Sequence, residues 1–347
     1  MTSVGIIGAS GYTGAELLRI IAAHPGFDLA FATGDSQAGV GVDELYPSLA
    51  AAYGGLEFSP YHEDMLAGVD LVFCGLPHGA SQALMPTLVD RVQWVVDLAA
   101  DFRLQDHSLY PQWYGEEHPC PELLGRFAYG LPELYRSNIA GSSAVAVPGC
   151  YPTCTSLAIA PLIVNGLADV SGIVVDAASG VSGAGRPPKA NTTFCTVDED
   201  YTAYGLLDHR HTPEIEQNIA TLASAEASAV SVLFTPHLAP MNRGMLATCY
   251  LHPTGTTSTE ALLEVYEEFY ADEPFVVVTE GSPSTKACLG SNTAHVTVRF
   301  DARTGLLVAI GAIDNLTKGA SGQAVQCANI LTGQPEASGL STTGVYP

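Results

Sequence analysis

The chain has 347 residues, 47% of them apolar, which is enough for two domains each with its own core. Its net charge of −23 comes from 36 acids set against only 13 cations, and 14% charged residues is low beside roughly a quarter in ordinary domains. That balance argues against nucleic acid as a partner, since phosphates need a basic footprint, and no run approaches the roughly 18 apolar residues of a membrane span.

Met1 leads within three residues into Val4-Gly5-Ile6-Ile7, which leaves no room for a secretion signal, so the expectation is a cytoplasmic protein. Residues 4–8 read as a short buried strand, followed by the turn Gly8-Ala-Ser-Gly11-Tyr-Thr-Gly14 and a helix over Ala15–Ala23. A second strand, Leu29–Thr33, follows Pro25-Gly26, and the apolar runs Asp70–Leu76 and Trp94–Ala100 alternate with helical stretches. This rhythm predicts a doubly wound, Rossmann-type parallel sheet. After about residue 150 the strand-like segments crowd together: Gly172–Ala178, Val230–Phe234, Met245–Leu251, Phe275–Thr279, Ala294–Phe300 and Leu306–Ile313. The last two flank a hairpin-like turn, Asp301–Gly305, and a helix is expected near Thr257–Tyr270. The prediction is an α/β chain, with an α+β domain built on a mixed sheet after the parallel one. A final helix, about Ala320–Leu331, is expected to dock back on the first domain, and the Gly/Ser/Thr-rich tail from Gly333 to be loose apart from any docking contacts.

The turn has the spacing G-x-x-G-x-x-G. Small residues there let backbone N–H groups approach a pyrophosphate at a helix N-terminus, and Ser10, Tyr12 and Thr13 add hydroxyls. The second strand ends at Asp35-Ser36; an acid suits the ribose of NAD, a hydroxyl the 2′-phosphate of NADP, and both readings stay open. Eight cysteines show no C-x-x-C pair and no zinc spacing, so no metal site is expected and most should be buried and reduced. Cys150 stands apart. Pro148-Gly149-Cys150-Tyr151-Pro152-Thr153 places it where a helix begins, and the helix dipole there favours thiolate, the nucleophilic form. His209-Arg210-His211-Thr212-Pro213 precedes another helix, with Thr212 the expected N-cap, and offers an imidazole for acid–base work. His78, in Leu76-Pro77-His78-Gly79, is either a second acid–base candidate or a packing residue. Among so few cations, Arg103, Arg186, Lys189, Arg210 and Arg243 lie in loop-like contexts suited to binding an anion.

Nine blocks in order carry a resemblance to a known family. They are Gly8–Gly14, Leu76–Gly79, Asp97–Arg103, Tyr129–Glu133, Pro148–Thr153, Ser179–Arg186, His209–Ile215, Phe234–Pro240 and Asp314–Gln323. From Gly5 to about Asn329 the chain resembles the N-acetyl-gamma-glutamyl-phosphate reductases of arginine biosynthesis, relatives of aspartate-semialdehyde dehydrogenase. The resemblance implies a dinucleotide-binding domain over 1–149, completed by a C-terminal helix at about 318–347. It implies a catalytic domain over 150–317 that carries the contacts of a homodimer or homotetramer. NADP(H) is the implied cofactor, held by Gly8, Ser10, Gly11, Tyr12, Thr13, Gly14, Ser36, Pro77, Ser182, Gly183, Asn315 and Gln323. Cys150 is the implied nucleophile and His211 the acid–base group. Arg103, His209, Arg186 and Arg243 are the implied contacts to a small anionic acyl phosphate. The reaction expected is reduction of N-acetyl-L-glutamyl 5-phosphate to its semialdehyde through a Cys150 thioester. The rival readings are the one-carbon-longer N-acetyl-aminoadipyl phosphate of lysine biosynthesis and a catalytically silent NADP-binding sensor.

Overall fold

Short apolar strands, several of them without an exposed residue, can be satisfied only inside a sheet covered on both faces. In the computed structural model, which describes residues 1–346, six such strands form the sheet of a first compact unit, Met1–Tyr110, Glu116–Pro148 and Ala320–Leu340. They are β1 (Thr2–Ile7), β2 (Phe27–Ala32), β3 (Leu71–Cys74), β4 (Trp94–Asp97), β5 (Phe127–Tyr129) and β6 (Ala144–Ala146). The order is β2-β1-β3-β4-β6-β5, parallel throughout. The strands β5 and β6 escape sequence reading because three residues carry no period. The helices α1 (Tyr12–Ala22), α2 (Ala80–Arg91) and α3 (Pro132–Ala140) belong to this unit, as does the C-terminal helix Gly322–Leu331. Ala324, Val325 and Ala328 of that helix join Val4, Ile6, Leu17, Phe73 and Val96 in one core.

The tail past Gly333 has docking contacts at Glu336 and Ser338. Asn329 Nδ2 donates to the carbonyls of Glu336 and Ser338, both at 2.9 Å, and Arg136 pairs with Glu336 at 2.8 Å. One buried amide supplies the partners that the tail's composition lacks.

The second unit comprises Pro111–Gly115, Gly149–Gly319 and the residues from Ser341 on. Its mixed sheet contains β7 (Ile173–Gly180), β8 (Thr202–Ala203), β9 (Val232–Ala239), β10 (Met245–Leu251), β11 (Val276–Val278), β12 (Ala294–Asp301) and β13 (Leu306–Ile313), in the order β11-β12-β13-β10-β7-β9-β8. The strand β9 runs on through Pro236, which a central strand tolerates poorly, because only the two-residue β8 pairs on its outer side. Burial alternates along β7 and β10, so one face of the sheet is covered and the other half-exposed. The covering helix is α4 (Cys150–Val164), buried without a break from Tyr151 to Ile163, as an apolar-all-round helix must be. It packs on β10, β12 and β13, with α5 (Thr212–Ala223) and α6 (Thr259–Phe269) beside it. No helix of the described residues is long and apolar enough to cross a membrane.

Candidate active site

The second unit brings Cys150 and the two histidines together. Cys150 is the first residue of α4, and Gly149 is its N-cap in an ordinary extended conformation. Gly149 therefore owes nothing to backbone freedom; it is needed for space. A Cβ there would lie 2.4 Å from Nε2 of His211, whose ring rests on the Gly149 backbone. Gly319 does the same on another side, where a Cβ would come within 2.8 Å of the Cβ of Cys150. Pro152 occupies the first turn, where its missing N–H costs nothing.

The other anchor was not legible beforehand. The Gly149 N–H donates to Oε1 of Glu214 at 2.9 Å, and Glu214 is fully buried. Glu214 and His211 both open α5, so one helix start holds the cysteine turn by its backbone and lays an imidazole on it. His211, rather than Thr212, is the N-cap, and its ring does not cap the helix. Within the sequence, an acid three residues into a helix reads as an ordinary dipole partner.

Cys150 is half-buried and Cys195 exposed, while the other six cysteines are buried. One turn along α4, burial pushes the Cys154 thiol far up, which makes it an inert packing residue.

His209 sits in an aromatic cage. Ring centroids lie at 5.7 Å to Tyr151, 5.5 Å to Tyr204, 5.3 Å to Phe234 and 4.8 Å to His211. Its Nδ1 accepts from the His211 N–H at 3.1 Å, which places the proton of the neutral ring on Nε2. Burial, helped by the Arg210 charge, lowers its pKa to about 4, so His209 is a neutral Nε2–H donor at pH 7. Tyr204 donates to the Tyr151 hydroxyl, which donates on to the His237 carbonyl, both at 3.1 Å. Burial holds both phenols protonated.

The expected contacts of the second unit also meet one another. Asn315 donates to Ser182 Oγ at 2.9 Å and accepts from the Gly244 N–H at 2.7 Å, and a Cβ on Gly183 would lie 3.7 Å from its Nδ2. Arg243 is less available than its sequence context suggests: its fork faces buried Asp314 at 3.0 Å and Thr317 at 2.9 Å. Arg186 is half-buried in the loop after β7.

In the first unit each glycine of the turn has its own reason. Gly8 has φ +83 and stands against the Gly75 carbonyl, and a Cβ on Gly14 would strike the Ala9 backbone at 2.4 Å. For Gly11 the nearest atom to such a Cβ is the Gly8 carbonyl at 3.8 Å. The protein itself leaves Gly11 open, at the N-cap of α1, where a pyrophosphate would need the backbone bare. These residues fit a dinucleotide. Gly34 backs onto Ser10, so the exposed turn with Asp35 and Ser36 lies beside the glycine loop, and Pro77 is exposed on the loop after β3. Gln323 is fully buried, two residues past Ser321, whose hydroxyl donates to the Thr13 carbonyl at 2.8 Å.

Arg103 is only 7% exposed and spends two donors on backbone, Nε to Val147 O at 2.7 Å and Nη2 to Leu98 O at 2.8 Å. His78 is paired with Asp101. Ser81 then bridges Asp101 at 2.6 Å and Asp97 at 3.0 Å, all three side chains fully buried. Two carboxylates sharing one hydroxyl cannot both stay charged cheaply. Burial and the Asp101 charge raise Asp97 to about 7; for Asp101, hydrogen bonds from His78, Ser81 and Gly79 outweigh burial and bring it to about 2.

Residues 3–142 match the family model for the semialdehyde dehydrogenase NAD-binding domain, and residues 150–315 that for the semialdehyde dehydrogenase dimerisation domain. The chain is 48% identical over 354 residues to the N-acetyl-gamma-glutamyl-phosphate reductase of Pelobacter propionicus, covering all of both proteins. It is 47% identical to that of Symbiobacterium thermophilum, over 99% of both. Among solved structures it shares its fold with aspartate semialdehyde dehydrogenase II of Vibrio cholerae in complex with ASA, at a TM-score of 0.73 and 17% identity over 96% of this chain and 98% of that one. The aspartate semialdehyde dehydrogenase of Candida albicans with NADP matches at a TM-score of 0.69 and 14% identity, over 96% and 99%.

Proposed function

Because the chain belongs to the N-acetyl-gamma-glutamyl-phosphate reductase family, we propose that it reduces N-acetyl-γ-glutamyl phosphate to N-acetyl-L-glutamate 5-semialdehyde, with NADPH as reductant and release of phosphate. The observation that carries the reading is the position of Cys150 at the first turn of a buried helix, with the His211 ring laid on the residue before it. A helix N-terminus stabilises thiolate, and the thiolate attacks the acyl carbon. The carbon–oxygen bond to phosphate breaks, phosphate departs with the electron pair, and Cys150 holds the acyl group as a thioester. NADPH, when bound, supplies the hydride that this thioester accepts. As the carbon–sulfur bond then breaks, His211 gives a proton to the departing sulfur and the aldehyde is released.

His209, neutral and donating through Nε2, suits a carboxylate or acyl oxygen of the substrate. Arg186 and Arg103 suit its anionic ends, ahead of Arg243 with its buried acid partner. In the first unit, Gly8–Gly14 and Pro77 would hold the dinucleotide, with Ser36 toward the 2′-phosphate. Ser182, Gly183, Asn315 and Gln323 complete the proposed cofactor set. The Candida albicans enzyme, which shares the fold and was solved with NADP, supports that choice of cofactor. Self-association as a dimer or tetramer is supported by the description of the 150–315 family model.

The test is phosphate-dependent reduction of NADP⁺ with N-acetylglutamate semialdehyde, beside the aminoadipate homologue and a Cys150→Ser variant. Turnover of the glutamate aldehyde that vanishes in the variant is expected. A variant as fast as the parent would remove thioester chemistry, and preference for the longer aldehyde would reassign the substrate.

A further inference from the structure

We propose that Arg243 is a positioning residue for Cys150, acting through Asp314 and Gly319 rather than on the substrate itself. The inference rests on the reading of Cys150 as the nucleophile and names what holds its side chain.

Arg243 lies on the turn between β9 and β10, and that turn is tied down along its backbone. The Val181 and Ser182 N–H groups donate to the carbonyls of Met241 and Asn242, at 2.9 and 3.2 Å. The Gly244 N–H donates to Oδ1 of Asn315 at 2.7 Å. A Cβ on Gly180 would lie 2.9 Å from the Arg243 backbone nitrogen, so the two main chains already touch. With its backbone fixed and both Nε and Nη2 turned to the protein, Arg243 is built as a strut.

The strut bears on Asp314, a fully buried carboxylate, which has to be satisfied from several sides. Its Oδ1 accepts from Arg243 Nε at 3.2 Å and Nη2 at 3.0 Å, and from the N–H groups of Leu316 at 2.9 Å and Thr317 at 3.1 Å. Its Oδ2 accepts from the Gly290 N–H at 2.7 Å, and Arg243 Nη2 also donates to Thr317 Oγ1 at 2.9 Å. Asp314 then grips the segment a second time, because its carbonyl accepts from the Gly319 N–H at 2.9 Å. That bond spans five residues and belongs to the π-helical turn Thr317–Ser321. Turns of this kind are rare and gather at functional sites.

Gly319 is where the strut ends. A Cβ on it would lie 2.8 Å from the Cβ of Cys150, 3.2 Å from Cδ1 of Ile313 and 3.3 Å from the Asp314 carbonyl. Its backbone is therefore the wall on which the Cys150 side chain rests. A helix end favours a thiolate only over its first turn, so the benefit depends on where the sulfur points. The path runs from guanidinium to carboxylate, to the Gly319 backbone, to the carbon that bears the sulfur, and each link is a direct contact.

Alkylation of Cys150 by iodoacetamide across pH, without substrate, tests the proposal. It is read by peptide mass at Cys150, since Cys195 is exposed and would report in a bulk measurement. Arg243→Lys keeps a cation beside Asp314 but loses the planar fork that serves Asp314 and Thr317 together. The alkylation midpoint is expected to rise by about 0.5 pH unit. Turnover should show kcat roughly tenfold lower, with KM for the semialdehyde and for phosphate held within about twofold. Gly319→Ala disturbs Cys150 from the far end of the same path, so the double variant should lose no more than the worse single one. Should Arg243→Lys not fold, Thr317→Val removes one bond of the strut, keeps the ion pair, and should move the midpoint the same way. An unshifted midpoint in the folded variant would overturn the proposal, as would additive losses in the double variant. A raised KM beside a parental alkylation profile would also overturn it, and would make Arg243 a substrate contact. Alkylation needs no turnover, so a parent that fails to carry out the assigned reaction leaves this result standing.

Discussion

Two turns that carry glycine open helices in this molecule, and they use it for opposite purposes. At Gly8–Gly14 two glycines serve the local fold, while Gly11 faces nothing of the protein closer than 3.8 Å. At Gly149 the space a Cβ would need is filled by the chain's own His211, and at Gly319 by Cys150 itself. One turn keeps a place bare, and the other has its glycine space filled by His211 and Cys150. Both stand at the positive end of a helix, which under the proposed function serves a ligand's phosphates in the first unit and a thiolate in the second.

That contrast is broken most directly at Cys150. Cys150→Ser should lower kcat/KM at least ~10³-fold, because a hydroxyl lacks an easily formed anion, and leave NADPH binding unchanged by fluorescence titration. A loss of cofactor affinity instead would mean that the two turns do not divide the labour as described. Gly149→Ala comes next. The new methyl must push the His211 ring aside, and displacement by about 1 Å is enough to cost ~10²-fold in rate. The expected signature is a fall in kcat with an unchanged KM for NADPH. Near-parental kcat would show that the ring's seat on Gly149 is incidental.

How far the sequence reached follows the same division. The glycine turn, Cys150 and the His209–His211 pair were readable because each sits within one local motif whose chemistry is written in consecutive residues. Glu214, Tyr204 and Gly319 were not. Each acts by meeting Cys150's turn or its histidines from elsewhere in the chain, and no spacing announces such a meeting. Arg243 and Arg103 show the converse limit of a local reading. Loop arginines look available, but Asp314 lies 71 positions from the one and Val147 44 from the other. In the fold, the long alternating strands were found and the three-residue β5 and β6 missed, since a period needs length to show.

Two buried titratable groups sharpen the comparison, because Asp97 in the first unit and His209 in the second respond to pH with opposite sign. Asp97, raised to about 7, carries a proton in the folded chain that the unfolded chain releases near 3.9. The folded state binds more protons at this site between those values, so the Asp97 contribution to stability falls as pH rises from about 4 to 7, by on the order of 4 kcal/mol. His209, lowered to about 4, binds fewer protons folded than unfolded below its ordinary 6.5. The His209 contribution to stability is therefore lost as pH falls from about 6.5 toward 4, by on the order of 3 kcal/mol. Melting curves should show the advantage of Asp97→Asn over the parent growing toward about pH 7.5, and that of His209→Leu growing toward about pH 4.5. Parallel pH profiles for either variant and the parent would remove that group from the account.

The smallest expected effect is the most discriminating about the first turn. Gly11→Ala adds a methyl where the nearest protein atom is 3.8 Å away, at a φ of −82 that alanine accepts. Sterically the fold gives no reason to forbid it, and as an N-cap alanine is poorer than glycine by about 1 kcal/mol at most, a few degrees of melting temperature. Only a bound pyrophosphate, drawn close to the backbone N–H groups, would meet the methyl. The KM for NADPH should rise roughly tenfold while kcat holds and the melting temperature falls by no more than that helix cost. A larger fall in melting temperature with no change in KM would mean that the open place belongs to the fold and that the dinucleotide's phosphates lie elsewhere in the unit.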